Sequence, residues 1–208
     1  MSVVVIENFI TEKECEEITR SLDNMCSQHP HLFGYLSTPG FESSSKAAAL
    51  SMENPIIDLT GNKEDDKASL LLTASILKLQ REMEKHFNQK MSVINCNYVQ
   101  MTKGANNGLH SDSTDYHDAE ELEFSGLLYF NDYGVNFTGG AITFPKENLT
   151  IKPKAGMAIF FKGDADHPHA VKTVISGSRK NAVIFFAKQN NVSDRVLFSD
   201  EHSGIPIG

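Results

Sequence analysis

Tryptophan is absent from the 208 residues, and cysteine occurs only three times, as Cys15, Cys26 and Cys96. These cysteines have no metal-type spacing, and an odd number is poor material for a disulfide framework, so reduced thiols are expected. Basic side chains are outnumbered: 19 Lys and Arg face 27 Asp and Glu, for a net charge of −8 and a pI near 5.4. The general basic footprint of a nucleic-acid binder is therefore missing. No apolar run approaches the roughly 18 residues of a membrane span. The amino terminus has only Val3 to Ile6 before Glu7, without the basic start or the length of a secretory signal. In that setting the sequons at Asn136, Asn148 and Asn191 read as chance matches. The expectations are a cytosolic protein with neither a nucleic-acid nor a membrane partner.

The length suits one domain over residues 1–208, within the usual range of about 100 to 200 residues. Residues 1–90 read as a helical part and residues 91–190 as a strand-rich core. Thr11-Glu12-Lys13-Glu14 fits a capping box, followed by Cys15, Ile18, Leu22 and Met25 at helical spacing. A second helix is expected over roughly Lys67 to Phe87, with Leu71, Ala74, Ile76, Leu77, Met83 and Phe87 as its apolar face. Between them, residues 28–66 are polar and punctuated by Pro30, Gly34, Pro39, Gly40, Pro55 and Gly61. This long loop is a candidate substrate flap or a disordered insertion. From Met91 the pattern changes to short strands: Ser92 to Met101, Phe124 to Phe130, Ala141 to Phe144, Leu149 to Ile151, Met157 to Phe161, Ala170 to Ile175 and Asn181 to Ala187. Two helices followed by many short strands predict an α+β, mainly β protein. Its core would be a double-stranded β-helix, a cupin-like jelly roll buttressed by the helices.

Chemistry concentrates in His110-Ser111-Asp112, followed by His169 and Arg179. In an extended segment side chains alternate, so His110 and Asp112 point the same way and can grip one ion. His169 can complete the set from a β-branched, strand-like run, with His167 as its competitor. Two histidines and one carboxylate on one face of an octahedral metal leave open positions, the arrangement of non-haem iron oxygenases. A fully extended chain would carry Arg179 roughly 33 Å from His169. A turn at Ser176-Gly177-Ser178 is therefore expected, with Lys180 to Ala187 returning. A guanidinium there could hold the far carboxylate of a small diacid, and Lys180 is its rival. The diacid would be 2-oxoglutarate.

Six stretches occur in a known order: HSD at 110–112, SGLLYFND at 125–132, GGAITF at 139–144, IKPKAG at 151–156, HPHAVKTV at 167–174 and GSR at 177–179. Through them the segment from Tyr98 to Ala187 resembles the catalytic domain of the iron(II) and 2-oxoglutarate dependent prolyl hydroxylases, the prolyl 3-hydroxylase branch especially. The resemblance implies Fe(II), 2-oxoglutarate and O2, with ascorbate as reductant. It also implies His110, Asp112 and His169 as metal ligands and catalytic centre, because the family's third ligand is a histidine that precedes its arginine by ten residues, and Arg179 as the anchor of 2-oxoglutarate. Ser125 stands where many relatives carry a threonine. Tyr98 and Tyr129, on expected inner strands, are further candidates to hydrogen-bond the cosubstrate, or else to pack in the core. Asn107 departs from the tyrosine that prolyl 4-hydroxylases often carry there, and the last strand lacks their tryptophan. His117, beside Asp118 in an acidic stretch, reads as a solvated loop residue.

The activity so implied is hydroxylation of an unactivated C–H bond, in a prolyl residue of a protein or peptide. Hydroxylation of a free amino acid or other small metabolite is the alternative. A zinc hydrolase would leave Arg179 without a purpose, and a metal-free binding module would have lost ligands.

Overall fold

A computed structural model describes residues 3–28, 33–34, 47–51, 63–115 and 122–189. Helix α1 spans Glu12–Gln28 and opens on the expected capping box. Thr11 N donates to Glu14 Oε2 at 2.7 Å, and Glu14 N donates to Thr11 Oγ1 at 3.2 Å, so two otherwise orphaned N–H groups are satisfied reciprocally. Cys15, Ile18 and Leu22 form its buried stripe. Helix α2 spans Lys63–Phe87, starting before the expected Lys67. Its fully buried positions include Leu72, Ile76, Leu79 and Met83, whereas Ala74 is exposed. Ala74 therefore drops out of the expected stripe. Apolar residues on adjacent faces of α2 left more than one stripe possible, and packing against the sheet selects one.

Among the described residues twelve strands follow the chain: β1 Val3–Ile6, β2 Phe33–Gly34, β3 Ala47–Ser51, β4 Met91–Thr102, β5 Asn107–His110, β6 Phe124–Tyr129, β7 Phe137–Gly139, β8 Ile142–Phe144, β9 Leu149–Ile151, β10 Ala158–Lys162, β11 His169–Val171 and β12 Val174–Lys188. A short turn of helix, α3 Asp112–Asp115, follows β5. The strands form two antiparallel sheets. The larger has the order β1-β10-β6-β12-β4-β3-β2, with β7 also pairing with β12; the smaller has the order β5-β11-β8-β9. This is the mainly β jelly roll that the sequence predicts.

Alternation within the strands sorts side chains between two cores. On β12, Ala182, Ile184 and Phe186 join the cluster that also holds Leu72, Ile76 and Leu79 of α2 and Ile18 of α1. On β6, Leu127 and Tyr129 face the other way and pack with Ile142, Phe144, Ile159 and Phe161. Strand β6 is buried along its whole length, as a strand covered on both faces must be. Cys15 and Cys96 are buried free thiols, and burial pushes them up to about 11 and about 12 respectively.

The expected turn at Ser176-Gly177-Ser178 is not a turn. Strand β12 runs unbroken through it, and the chain leaves the smaller sheet one step earlier, at Lys172-Thr173, where Lys172 N donates to Ala141 O and Gly140 N donates to Thr173 O. Residues Val174 to Gly177 pair with β7, and the rest of β12 lies between β4 and β6. Gly177 has φ +73°, and a Cβ there would lie 2.0 Å from Asn136 O. Its glycine bends a strand that changes partners. Most of the proposed flap at residues 28–66, and His117 with Asp118, lie outside the described residues. Within that stretch, β3 pairs with β4 and β2 with β3, extending the larger sheet.

The cap yields a pH-dependent expectation. The Thr11 backbone N–H, with the Thr11 hydroxyl second, holds the Glu14 carboxyl below its ordinary value. That stabilisation is complete above the unfolded value of about 4.3 and is lost as pH falls through the lower folded value. Thr11→Ala keeps the backbone donor and removes the hydroxyl, so it should cost about 1 kcal/mol at pH 7, and the share of that deficit due to the bond from the hydroxyl to Glu14 should vanish as the medium is acidified towards pH 3. Urea unfolding of both chains across that range measures it.

Candidate functional site

The smaller sheet brings the two histidines together. His169 on β11 is the direct cross-strand neighbour of His110 on β5, with ring centroids 4.3 Å apart. Asp112 follows at the start of α3, and all three residues are buried. Asp112 Oδ1 lies 3.3 Å from His110 Nε2 and 3.7 Å from His169 Nε2, and the three ligand atoms lie within 4.8 Å of one another. Donors in neighbouring positions around a divalent ion at about 2.1 Å sit roughly 3 Å apart. The spacing fits one ion.

Hydrogen bonding prepares these atoms to act as ligands. His110 Nδ1 lies 2.8 Å from Gly108 O and His169 Nδ1 lies 3.3 Å from His167 O. A carbonyl can only accept, so each Nδ1 carries the proton and each Nε2 has a lone pair to offer an ion beside Asp112 Oδ1. Ser125 Oγ donates to Asp112 Oδ2 at 2.5 Å, which turns Oδ1 towards the imidazoles. Burial opposes ionisation of Asp112, yet His169 and His110 beside it, aided by Ser125, hold its carboxyl below the usual range. Burial, with His110 adding to it, keeps His169 below its ordinary value despite Asp112. An ionised carboxylate with a neutral imidazole is the protonation state of a metal ligand set. Phe161 and Phe144 pack their rings against His169 at 4.8 and 5.5 Å, giving the cluster an apolar wall.

The triad and Arg179 line one cavity of about 80 Å³, together with Asn97, Met101, Asn107 and Asn181. Arg179 is only 2 % exposed, and among the described residues no carboxylate forms an ion pair with it. Its Nη2 donates to Tyr129 Oη at 3.0 Å, and its Nη1 donates to Asn181 Oδ1 at 2.5 Å and meets Met101 Sδ at 3.4 Å. Its Nε has no hydrogen-bond partner among the described residues. Gly140 leaves room for the side chain, since a Cβ there would lie 3.0 Å from Arg179 Cδ. A buried cation with only neutral partners calls for an anion, and 2-oxoglutarate carries a carboxylate at each end.

Several expectations need correction. Tyr98 does not reach the cavity: it pairs across the sheet with Ala182, packs in the helix-side core, and donates from its hydroxyl to Asp23 Oδ1 of α1 at 2.9 Å. Strand parity places it on the wrong face. Ser125 bonds the Asp112 carboxylate and therefore positions it. Lys180, the rival of Arg179, pairs instead with Asp23 on the helix side. His167 lies outside the triad: its Nδ1 is 2.6 Å from Asp164 Oδ1, and only its carbonyl serves the site. Asn107 lines the cavity with its Nδ2 3.3 Å from His110 Nε2, and Asn181 was not expected at all.

Comparison with known proteins meets this geometry at the same residues. Residues 96–188 match the model of the 2OG-Fe(II) oxygenase superfamily. The 2-oxoglutarate and iron-dependent oxygenase domain-containing protein 3 of Rattus norvegicus is 34% identical over 80 residues, which are 36% of this chain and 25% of the relative. The chain thus matches about a quarter of that curated relative's length. In fold, a prolyl hydroxylase from Trichoplax adhaerens, solved with a peptide fragment of the oxygen degradation domain of hypoxia inducible factor, aligns with TM-score 0.66 at 17% identity, covering 91% of this chain and 85% of its own. The viral collagen prolyl hydroxylase of Paramecium Bursaria Chlorella virus-1, in its 2OG complex, aligns with TM-score 0.61 at 18% identity over 90% of this chain and 97% of its own. The matched segment carries both the His-Asp-His triad and Arg179, so over that stretch the chain is similar to the 2OG-Fe(II) oxygenase superfamily at the residues that form its candidate site.

Proposed function

We propose that the chain hydroxylates an unactivated C–H bond, with a prolyl residue in a peptide or protein as its prime substrate. The observation that carries the oxygenase part is the buried Arg179, unpaired by any described carboxylate, in the cavity of the triad. The prolyl part is supported by the fold shared with prolyl hydroxylases, one of them solved with a peptide fragment. The whole chain acts in this proposal as one catalytic unit in the cytosol, with ascorbate as reductant.

His110, Asp112 and His169 would hold the ion through Nε2, Oδ1 and Nε2. Ser125 and the carbonyls of Gly108 and His167 keep those atoms aimed. Arg179 and Tyr129 would hold the distal carboxylate of the diacid. The apolar wall of Phe144 and Phe161 excludes water from beside the metal ligands. Bound Fe(II) and 2-oxoglutarate would supply oxidative decarboxylation by O2, giving succinate and carbon dioxide and placing one oxygen atom in the substrate. Succinate release in the presence of Fe(II), 2-oxoglutarate and ascorbate, measured against a panel of prolyl peptides and free amino acids, tests the substrate class. Hydroxyproline in a peptide product is the expected result. Turnover confined to a free amino acid would refute the peptidyl assignment.

Two sets of variants test the site. His110→Ala, Asp112→Ala and His169→Ala should each lower Fe(II) affinity more than about a hundredfold, and Ser125→Ala by roughly tenfold, as for groups that orient a ligand. His167→Ala keeps the carbonyl that holds His169 and should retain most of the affinity. Loss of the ion in His167→Ala alone would mean that the third ligand is misassigned.

Arg179→Ala should raise the Michaelis constant for 2-oxoglutarate by an order of magnitude or more, in line with about 1.5 to 3 kcal/mol for a hydrogen bond to a charged group. Fe(II) binding should survive. Unchanged dependence on 2-oxoglutarate would remove the cosubstrate role from Arg179.

A further inference from the structure

Nothing in the sequence pattern singles out Asn181, yet it lies on β12 two residues beyond Arg179, on the same face and fully buried. It lines the cavity that holds the triad, and its cross-strand neighbour on β6 is Tyr129. Arg179 Nη1 donates to Asn181 Oδ1. A guanidinium has no acceptor, so this contact fixes the orientation of the amide: Oδ1 meets Arg179 and Nδ2 points elsewhere. Among the described residues Nδ2 has no hydrogen-bond partner, and neither has Arg179 Nε. Buried N–H donors in folded proteins are nearly always satisfied. Two that are not, on adjacent side chains of one cavity and with a positive charge between them, are donors waiting for an anion.

We propose that Asn181 is a specificity-determining residue of the cosubstrate subsite, donating from Nδ2 to the distal carboxylate of the 2-oxo diacid. Its Oδ1 meanwhile fixes the guanidinium that pairs with the same carboxylate. The assignment rests on the cosubstrate role of Arg179 and extends it. A neutral amide adds a directed donor without a second buried charge, and the acceptor on its other end stops the guanidinium from rotating away from the diacid. A ligand without the distal carboxylate leaves both donors unsatisfied. Asn181 thus contributes to choosing a diacid over a monoacid, a discrimination built on buried donors that only the right ligand can pair.

The test reads binding by calorimetry, with the full chain loaded with Mn(II) and titrated with 2-oxoglutarate or with 2-oxopentanoate. The second ligand keeps the 2-oxo acid end and lacks the distal carboxylate. Asn181→Ala should weaken 2-oxoglutarate about tenfold or more and leave 2-oxopentanoate within about twofold of wild type. Asn181→Asp keeps the shape and the acceptor for Arg179, but its carboxylate would occupy the guanidinium. It should weaken 2-oxoglutarate further still while Mn(II) binding persists, and it serves as the variant of record where Asn181→Ala fails to fold. Equal weakening of both ligands by Asn181→Ala would make the residue a packing element and overturn the proposal, as would wild-type affinity for 2-oxoglutarate in either variant. An Arg179→Ala chain that binds 2-oxoglutarate like wild type would sink the cosubstrate role itself, a result distinct from loss of the Asn181 contact alone.

Discussion

Burying a guanidinium between two sheets, with only a phenol, an amide and a thioether for company, is unfavourable unless something negative joins it. Arg179 stands in that position, and much of the surrounding architecture serves to keep it there. Gly140 gives it space, and Tyr129 and Asn181 hold its plane. Strand β12, covered by α1 and α2 on the opposite face, fixes its backbone. Stability alone would have favoured an apolar residue at this buried place. A charge kept there, in the cavity of the His-Asp-His triad, is what the proposed two-point grip on a ligand charged at both ends requires.

The legible parts of the sequence were those that depend on local chemistry. The capping box at Thr11 and Glu14 needs only three residues of spacing, and it forms as expected. The pair His110 and Asp112 was legible from the motif order, whereas the extended alternation expected for it does not hold, since His110 ends β5 and Asp112 opens α3. His169 needed the resemblance to separate it from His167, and the structure brings His169 into contact with the other two ligand residues. Tyr98 and Tyr129 were indistinguishable in sequence because each has an apolar chain neighbour, Val99 and Leu128, so that apolar alternation gives no sign of direction. Only the register, with Tyr98 opposite Ala182 and Tyr129 opposite Asn181, separates the helix face from the cavity face.

The turn expected at Gly177 failed for a related reason. A glycine between two serines is a good turn signal, but the chain had already left the smaller sheet at Lys172-Thr173, residues that carry no turn signature. What forced the change of direction was the long-range pairing of β12 with β7, β4 and β6, which no local pattern reports. Asn181 escaped notice because an asparagine in a strand-like run has no motif. Its meaning comes from what its amide touches.

Strand β5 is only four residues long, lies at one edge of the smaller sheet, and meets β11 at two positions with an irregularity between them. Short edge strands are the parts of a sheet that open most easily. One candidate metal ligand, His110, is on this strand, and a second, His169, is on its neighbour β11. An ion held between them would act as a cross-link, fastening the weakest edge of the sheet to its interior. Metal affinity and the integrity of that edge then become two measures of one free energy, so the smaller sheet is most ordered in the state that is ready to turn over.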